Sequence, residues 1–293
     1  MSAPVANPYY GHGGTGVIGS PTVTYAQLLR PYSEFNNVSV LTNPSHARYD
    51  SMIAKAQKRL SSGLTFLSAF TWSRNMDNEF ASGNFFSGSS SAPQDAYNLA
   101  AEYSLAIVDT PLRWSNTLSY FLPVGKGKAF LGNASRLVDL AVGGWQVNFT
   151  NIYQTGFPLA IYQSNNQNSV LGAGVQRPNA TGISPVNPGS VEARLNGYIN
   201  PAAFSTAAAY TYGNLARTIP YRGPGTKNWD ASLFKNFLVT ERLNAEFRAE
   251  ALNLFNTPQF PNPNTKLGST SFGTISTQVN FSRLIQLGVR FSF

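Results

Sequence analysis

The sequence predicts an all-β fold, an antiparallel transmembrane β-barrel, and three observations predict it. Apolar and polar residues alternate in stretches of about ten, the length a tilted strand needs to cross a bilayer. Only 12% of the 293 residues are charged while 13% are aromatic, too few charges to cover an ordinary soluble surface and too many aromatics for a disordered chain. The connections alternate between short turns and long loops, as in a hairpin array whose turns lie on the periplasmic side and whose loops lie outside.

Strands are expected at 49–60 and 64–73, the second with Leu64, Phe66, Phe70 and Trp72 on one face and Thr65, Ala69, Thr71 and Ser73 on the other. A further strand is expected at 112–122. Segment 145–154 sets Trp145, Val147, Phe149 and Tyr153 against Gln146, Asn148, Thr150 and Gln154, and segment 229–237 sets Trp229, Ala231, Leu233 and Phe237 against Asp230, Ser232 and Asn236. In 243–251, Leu243, Ala245, Phe247, Ala249 and Ala251 share one face, and Asn244, Glu246, Arg248 and Glu250 the other. Helical spacing would leave Arg248 across the axis from both glutamates, whereas a strand lines up all three charges. The chain closes on "RLIQLGVRFSF", where Ile285, Leu287, Val289, Phe291 and Phe293 alternate with Leu284, Gln286, Gly288, Arg290 and Ser292. Those five residues and Phe247 are expected to face lipid. Glu246, Arg248, Glu250, Gln286 and Arg290 are expected to face the lumen.

Residues 61–63, a basic turn from Pro123 into "GKGK" and 238–242 are the short or moderately short connections. Stretches 77–111, 157–227 and 257–282 are long and rich in Asn, Gly, Ser, Pro and Tyr; loops of that length would count against a soluble domain. With the short turns inside the cell envelope, Trp72, Trp114 and Trp229 fall at the outer rim and Trp145 at the inner rim, the positions of two aromatic girdles.

Other chemistry is poorly supported. The excess of 21 Lys and Arg over 13 Asp and Glu is scattered, giving no stripe for a phosphate backbone, so no nucleic acid is expected. There is no cysteine, hence no disulfide, thiolate metal site or Cys nucleophile. No apolar run is long enough for a transmembrane helix, and "MSAPVANPYYGHGG" has the features of no signal peptide. "GHGGTG" at 11–16 fits a dinucleotide fingerprint in spacing only, lacking a strand before and a helix after it. His12 and His46 are the only histidines and have no partner at ligand spacing. Glu246 and Glu250 resemble an acid/base pair, but Arg248 between them makes a charge-balanced lumen ladder the simpler account. No catalytic, metal or cofactor-binding residue is expected, and no enzymatic activity.

"INPAAFSTAAAYTYGNLAR", "YRGPGTKNWDASLFKNF" and "RAEALNLFNTPQF", in that order, resemble the closing segments of TonB-dependent outer-membrane receptors, most of all the Oar-like barrels. "GLTFLSAFTWSRNMDN" at 63–78 and "GGWQVNFTNIYQTGFPLAI" at 143–161 resemble earlier strand pairs of the same family. The resemblance spans residues 45–293, with 1–44 a loop region before the first complete strand. It implies the C-terminal strands of a larger barrel of about 22 strands, placed in the outer membrane of a Gram-negative-type bacterium.

It further implies that terminal Phe293 is read by the barrel assembly machinery, that TonB engages only through an N-terminal part absent from this sequence, and that the parent takes up an external ligand. Tyr198, Tyr210, Tyr212 and Tyr221 are the loop residues expected to touch that ligand. Two alternatives stay open: a passive outer-membrane barrel acting as adhesin or surface structure, and a soluble β-sandwich binding carbohydrate.

Overall fold

The computed structural model describes residues 1–36, 38, 45–78, 93–168, 174–239 and 243–293. Parts of the expected 1–44 region, of loops 77–111 and 157–227 and of the turn 238–242 lie outside them. Seven long strands carry the fold: β1 Ala47–Ser61, β2 Leu64–Asp77, β3 Leu112–Phe121, β4 Trp145–Gln154, β5 Thr226–Leu238, β6 Asn244–Leu252 and β7 Leu284–Ser292. Each pairs antiparallel with its sequence neighbour, so the order across the sheet is β7-β6-β5-β4-β3-β2-β1. Such a meander pairs β2 to β6 on both sides, as hydrocarbon requires of a strand backbone, and pairs β1 and β7 on one side each among the described residues.

The register explains why alternation in single strands becomes two coherent faces. Residues opposite one another in an antiparallel ladder point the same way, and Ala245, Phe247 and Ala249 of β6 stand opposite Phe291, Val289 and Leu287 of β7. On the reverse face Glu246 meets Arg290 and Glu250 meets Gln286. Following the apolar face across the sheet, Phe247 leads to Lys235 and Lys235 to Trp145.

The apolar face carries exceptions. A transverse row runs Ser68–Asn116–Asn151–Trp229, and both asparagines are buried. Trp114 donates its indole N–H to Ser68 Oγ at 2.9 Å. This row sits one ladder step below Trp114 and Tyr153, at the level of the expected outer girdle, where polar groups are tolerated. Lys235 is a further exception, its cation 5.1 Å from the rings of both Trp145 and Phe237, and Lys58 stands opposite Phe66 on the same face.

One end of the sheet is narrow. Ser62 and Gly63 turn β1 into β2 with φ of 52° and 78°, and a Cβ on Gly63 would lie 2.7 Å from the Phe121 carbonyl oxygen, so only glycine fits there. The basic connection 122–144, expected as a turn, instead contains a short helix, Arg136–Val142. Its start is fixed by Ser135, whose hydroxyl accepts from the Val138 N–H.

At the opposite end the long connections weave into an ordered cap. Leu159 and Ile161 from the second loop pack with Ile199, Phe204, Leu215 and Ile219, and with Ile275 from the third. Short ladders join Pro158–Leu159 to Ile219–Arg222 and, in parallel, Tyr162–Gln163 to Lys266–Leu267. Residues 1–36 form a separate small unit in which Pro4–Ala6 pairs with Thr22–Thr24. The "GHGGTG" stretch is the turn between these strands, with Gly11, Gly13 and Gly16 all at positive φ.

Candidate functional site

The polar face of the sheet is the first half of the site. Gln146 donates to Ser119 Oγ at 2.9 Å and to Asn148 Oδ1 at 2.8 Å, and Asn148 donates to Ser232 Oγ at 3.2 Å. Amides and hydroxyls from β3, β4 and β5 thus form a continuous polar ladder. Arg248 pairs with Glu246 and lies 4.9 Å over the Phe234 ring. By register Glu246, Arg248, Glu250, Gln286 and Arg290 share this face, and Phe247, Ile285, Leu287, Val289 and Phe291 share the other. Phe293 follows the last strand residue and is fully exposed.

The second half is the cap, tied to the strands by buried ions. Arg217 bonds the Asp77 carboxylate at the top of β2 and donates to the Glu102 carbonyl at 2.9 Å. Arg222 bonds the Asp109 carboxylate, while Asp109 also accepts from the Asn75 N–H at 2.6 Å. Arg177 and Glu102, each no more than 5% exposed, pair at 2.7 Å, and Gln94 bridges Glu102, Arg177 and the Gly213 carbonyl. A charge buried alone is costly, so these pairs fix where each loop sits. At the foot of the cap lies a cavity of about 680 Å³ lined by Asp50, Met52, Trp72, Arg74, Asp109 and Arg222.

The four loop tyrosines separate into two groups. Tyr198 is 4% exposed; its ring stacks on Tyr221 at 5.5 Å, Arg194 lies 4.5 Å over it, and its hydroxyl donates to the Arg222 carbonyl at 2.9 Å. Burial pushes its pKa up to about 12, helped by the Tyr221 hydroxyl and opposed by Arg194. Tyr221 is raised too, again mainly by burial. In this arrangement Tyr198 holds the cap together rather than reaching outward, which corrects the expectation that it meets a ligand. Tyr210 and Tyr212 stay exposed, and the Tyr212 pKa is raised by partial burial, by Asp95 and by Tyr97.

Aromatic contacts also link Trp114 to Trp229. Trp114 stacks on Tyr153 at 5.9 Å, Tyr153 meets Trp229 edge-on at 5.8 Å, and Trp229 packs on Phe149 at 4.7 Å and Phe255 at 5.6 Å. Trp72, Trp114 and Trp229 lie near the cap end of their strands, and Trp145 opens β4 at the narrow end. The residues sequence reasoning missed are the ionic anchors, Glu102, Asp109, Arg177, Arg217 and Arg222. Their partners lie 75 to 140 positions apart, beyond any local pattern.

A protein-family profile described as an outer membrane beta barrel domain matches residues 4–286. No curated protein matches the chain. Two-faced strands of membrane-spanning length, a polar inner ladder and an anchored loop cap agree with that match: the chain belongs to the outer-membrane β-barrel domain family, which resides in the outer membrane of Gram-negative bacteria.

Proposed function

We propose that this chain forms the C-terminal strands of a TonB-dependent, Oar-like receptor barrel that takes up an external ligand across the outer membrane. The observation that carries the proposal is the cap. Arg177–Glu102 and Arg222–Asp109 tie two of the long connections to each other, Arg217–Asp77 ties the second of them to the end of β2, and the third packs in through Ile275, over a polar face suited to a water-filled lumen. The segment resemblance at 199–217, 221–237 and 248–260 supports the TonB assignment. In this reading the chain makes and breaks no covalent bond. TonB acts through a part of the receptor outside this sequence, Tyr210 and Tyr212 offer contacts to the ligand, and Phe293 presents the strand signal to the assembly machinery.

The test is genetic and functional. Loss of this chain and loss of TonB should produce the same growth defect across a panel of scarce nutrients, with no additive effect when both are lost. A strain lacking the chain that grows normally on every nutrient but attaches poorly to surfaces would establish the passive reading instead. A soluble carbohydrate-binding sandwich is disfavoured by the sheet itself: Ile285, Leu287, Val289 and Phe291 are all more than 60% exposed on one face, an arrangement for lipid and not for water.

A further inference from the structure

We propose that the connection 122–144 is an interfacial anchor that seats in the inner leaflet of the outer membrane against anionic phospholipid. The inference rests on the assignment of the apolar sheet face to lipid. A connection that merely reversed the chain would be short and polar. This one is held in a fixed shape around Asp139, whose carboxylate accepts from the Lys126 N–H at 2.6 Å and whose carbonyl accepts from the Gly143 N–H at 2.8 Å. A Cβ on Gly125 or Gly143 would lie 2.5 or 2.4 Å from Asp139 Oδ1, so both glycines are required by the packing. On that frame Phe130, Leu131, Leu137, Val138 and Leu140 are exposed, Leu137 at 81%. A seven-residue helix does not hold such a face in water by its own propensity.

Two further observations select the occupant. The helix end is tied to the lipid side of the sheet: Lys235 Nζ donates to the carbonyls of Ala141 and Gly143, and the Trp145 indole N–H donates to the Ala141 carbonyl at 3.0 Å. Both residues stand on the face that carries Val147 and Leu233, so the exposed apolar side chains continue the lipid-facing surface. The charge is also complementary. Lys126, Lys128 and Arg136 are exposed, and Asp139, the one acidic residue of the connection, is engaged by the Lys126 N–H. Cations beside exposed apolar side chains at a membrane boundary recognise phosphate headgroups.

Because the chain has no cysteine, one reactive position can be introduced cleanly. Leu137→Cys carries an environment-sensitive fluorophore in the full chain, reconstituted into vesicles of phosphatidylcholine with or without phosphatidylglycerol; Leu287→Cys is the reference in the apolar face and Ser62→Cys the aqueous one. The expected result is blue-shifted emission at position 137, quenched by lipids spin-labelled near the headgroup, stronger with phosphatidylglycerol, and losing that dependence in Lys126→Gln/Lys128→Gln. Emission at 137 as red as at Ser62→Cys, with Leu287→Cys in lipid, would overturn the anchor and leave the barrel intact. Shielding from aqueous iodide without lipid quenching would also overturn it, in favour of a protein partner. A label at Leu287→Cys that reports water would overturn the face assignment on which the inference rests.

Discussion

Placing an arginine at Val289 tests the two-face arrangement quantitatively. Val289 stands opposite Phe247 and is 61% exposed, so the substitution meets no packed neighbour and its cost reports the medium outside. It lies four positions before Phe293. At about 3.3 Å per residue and a tilt of about 45°, that places it about 9 Å above the inner boundary. Half of an apolar band about 25 Å tall is about 12 Å, so Val289 lies close to the midplane and Val289→Arg is expected to cost about 2–4 kcal/mol. In equilibrium terms this is a loss of about 30- to 1,000-fold in the folded, inserted form. Gln286→Arg is the matched control, because Gln286 stands opposite Glu250 on the polar face and a partly exposed ion pair there changes stability by about 0–1 kcal/mol. Urea titration of each variant in preformed vesicles, followed by tryptophan emission, measures both. Equal penalties at 289 and 286, or a larger one at 286, would refute the face assignment.

Three further outcomes are expected. Glu102→Gln leaves Arg177 buried without its counter-charge, which should loosen the cap by about 3–5 kcal/mol and appear as faster protease cleavage within 155–225; unchanged cleavage would mean the pair anchors nothing. The fold holds Tyr198 in its neutral form, so its folded pKa of about 12 lies above the ordinary 10.0. The associated stability is therefore intact below pH 10 and lost as pH rises through about 12, up to about 3 kcal/mol. Ultraviolet titration of tyrosinate should show a latest phase, after those of the other raised tyrosines Tyr212 and Tyr221, that disappears in Tyr198→Phe, and a Tyr198 phase coincident with the exposed tyrosines would contradict this. Gly156→Ala drives a Cβ to 1.9 Å from the Gly223 carbonyl oxygen, so the cap should fail to seat while strand insertion persists, read as protease sensitivity without loss of the membrane-protected fragment.

The strands were legible because a membrane imposes one rule on every residue of a segment. In 243–251 and 284–292 successive side chains take opposite faces of the sheet, and that choice is written locally with a period of two. Legibility weakens where a residue answers to something distant. Lys235 stands on the apolar face because the carbonyls of Ala141 and Gly143 lie within its reach, and nothing within 226–238 reveals those acceptors. Asn116 and Asn151 are opposite each other at girdle depth, a placement that depends on register between strands. The cap core is hidden for a related reason: Leu159, Ile199, Ile219 and Ile275 are spaced without periodicity among turn residues, so no moment points to a common interior. The helix Arg136–Val142 did carry a signal, Ser135 followed by an apolar run, but the neighbouring glycines and lysines of 125–128 read more strongly as a turn.

The central claim is that neighbouring side chains in the strands enter different media, and a spin-label scan of 284–292 tests it most directly. Single cysteines in this cysteine-free chain, labelled and reconstituted in bilayers, are measured for collision with oxygen, which favours lipid, and with a nickel chelate, which stays in water. The account predicts oxygen maxima at 285, 287, 289 and 291 and nickel maxima at 284, 286, 288, 290 and 292, in strict alternation. Accessibilities that vary smoothly along the segment, or repeat every three to four residues, would contradict it.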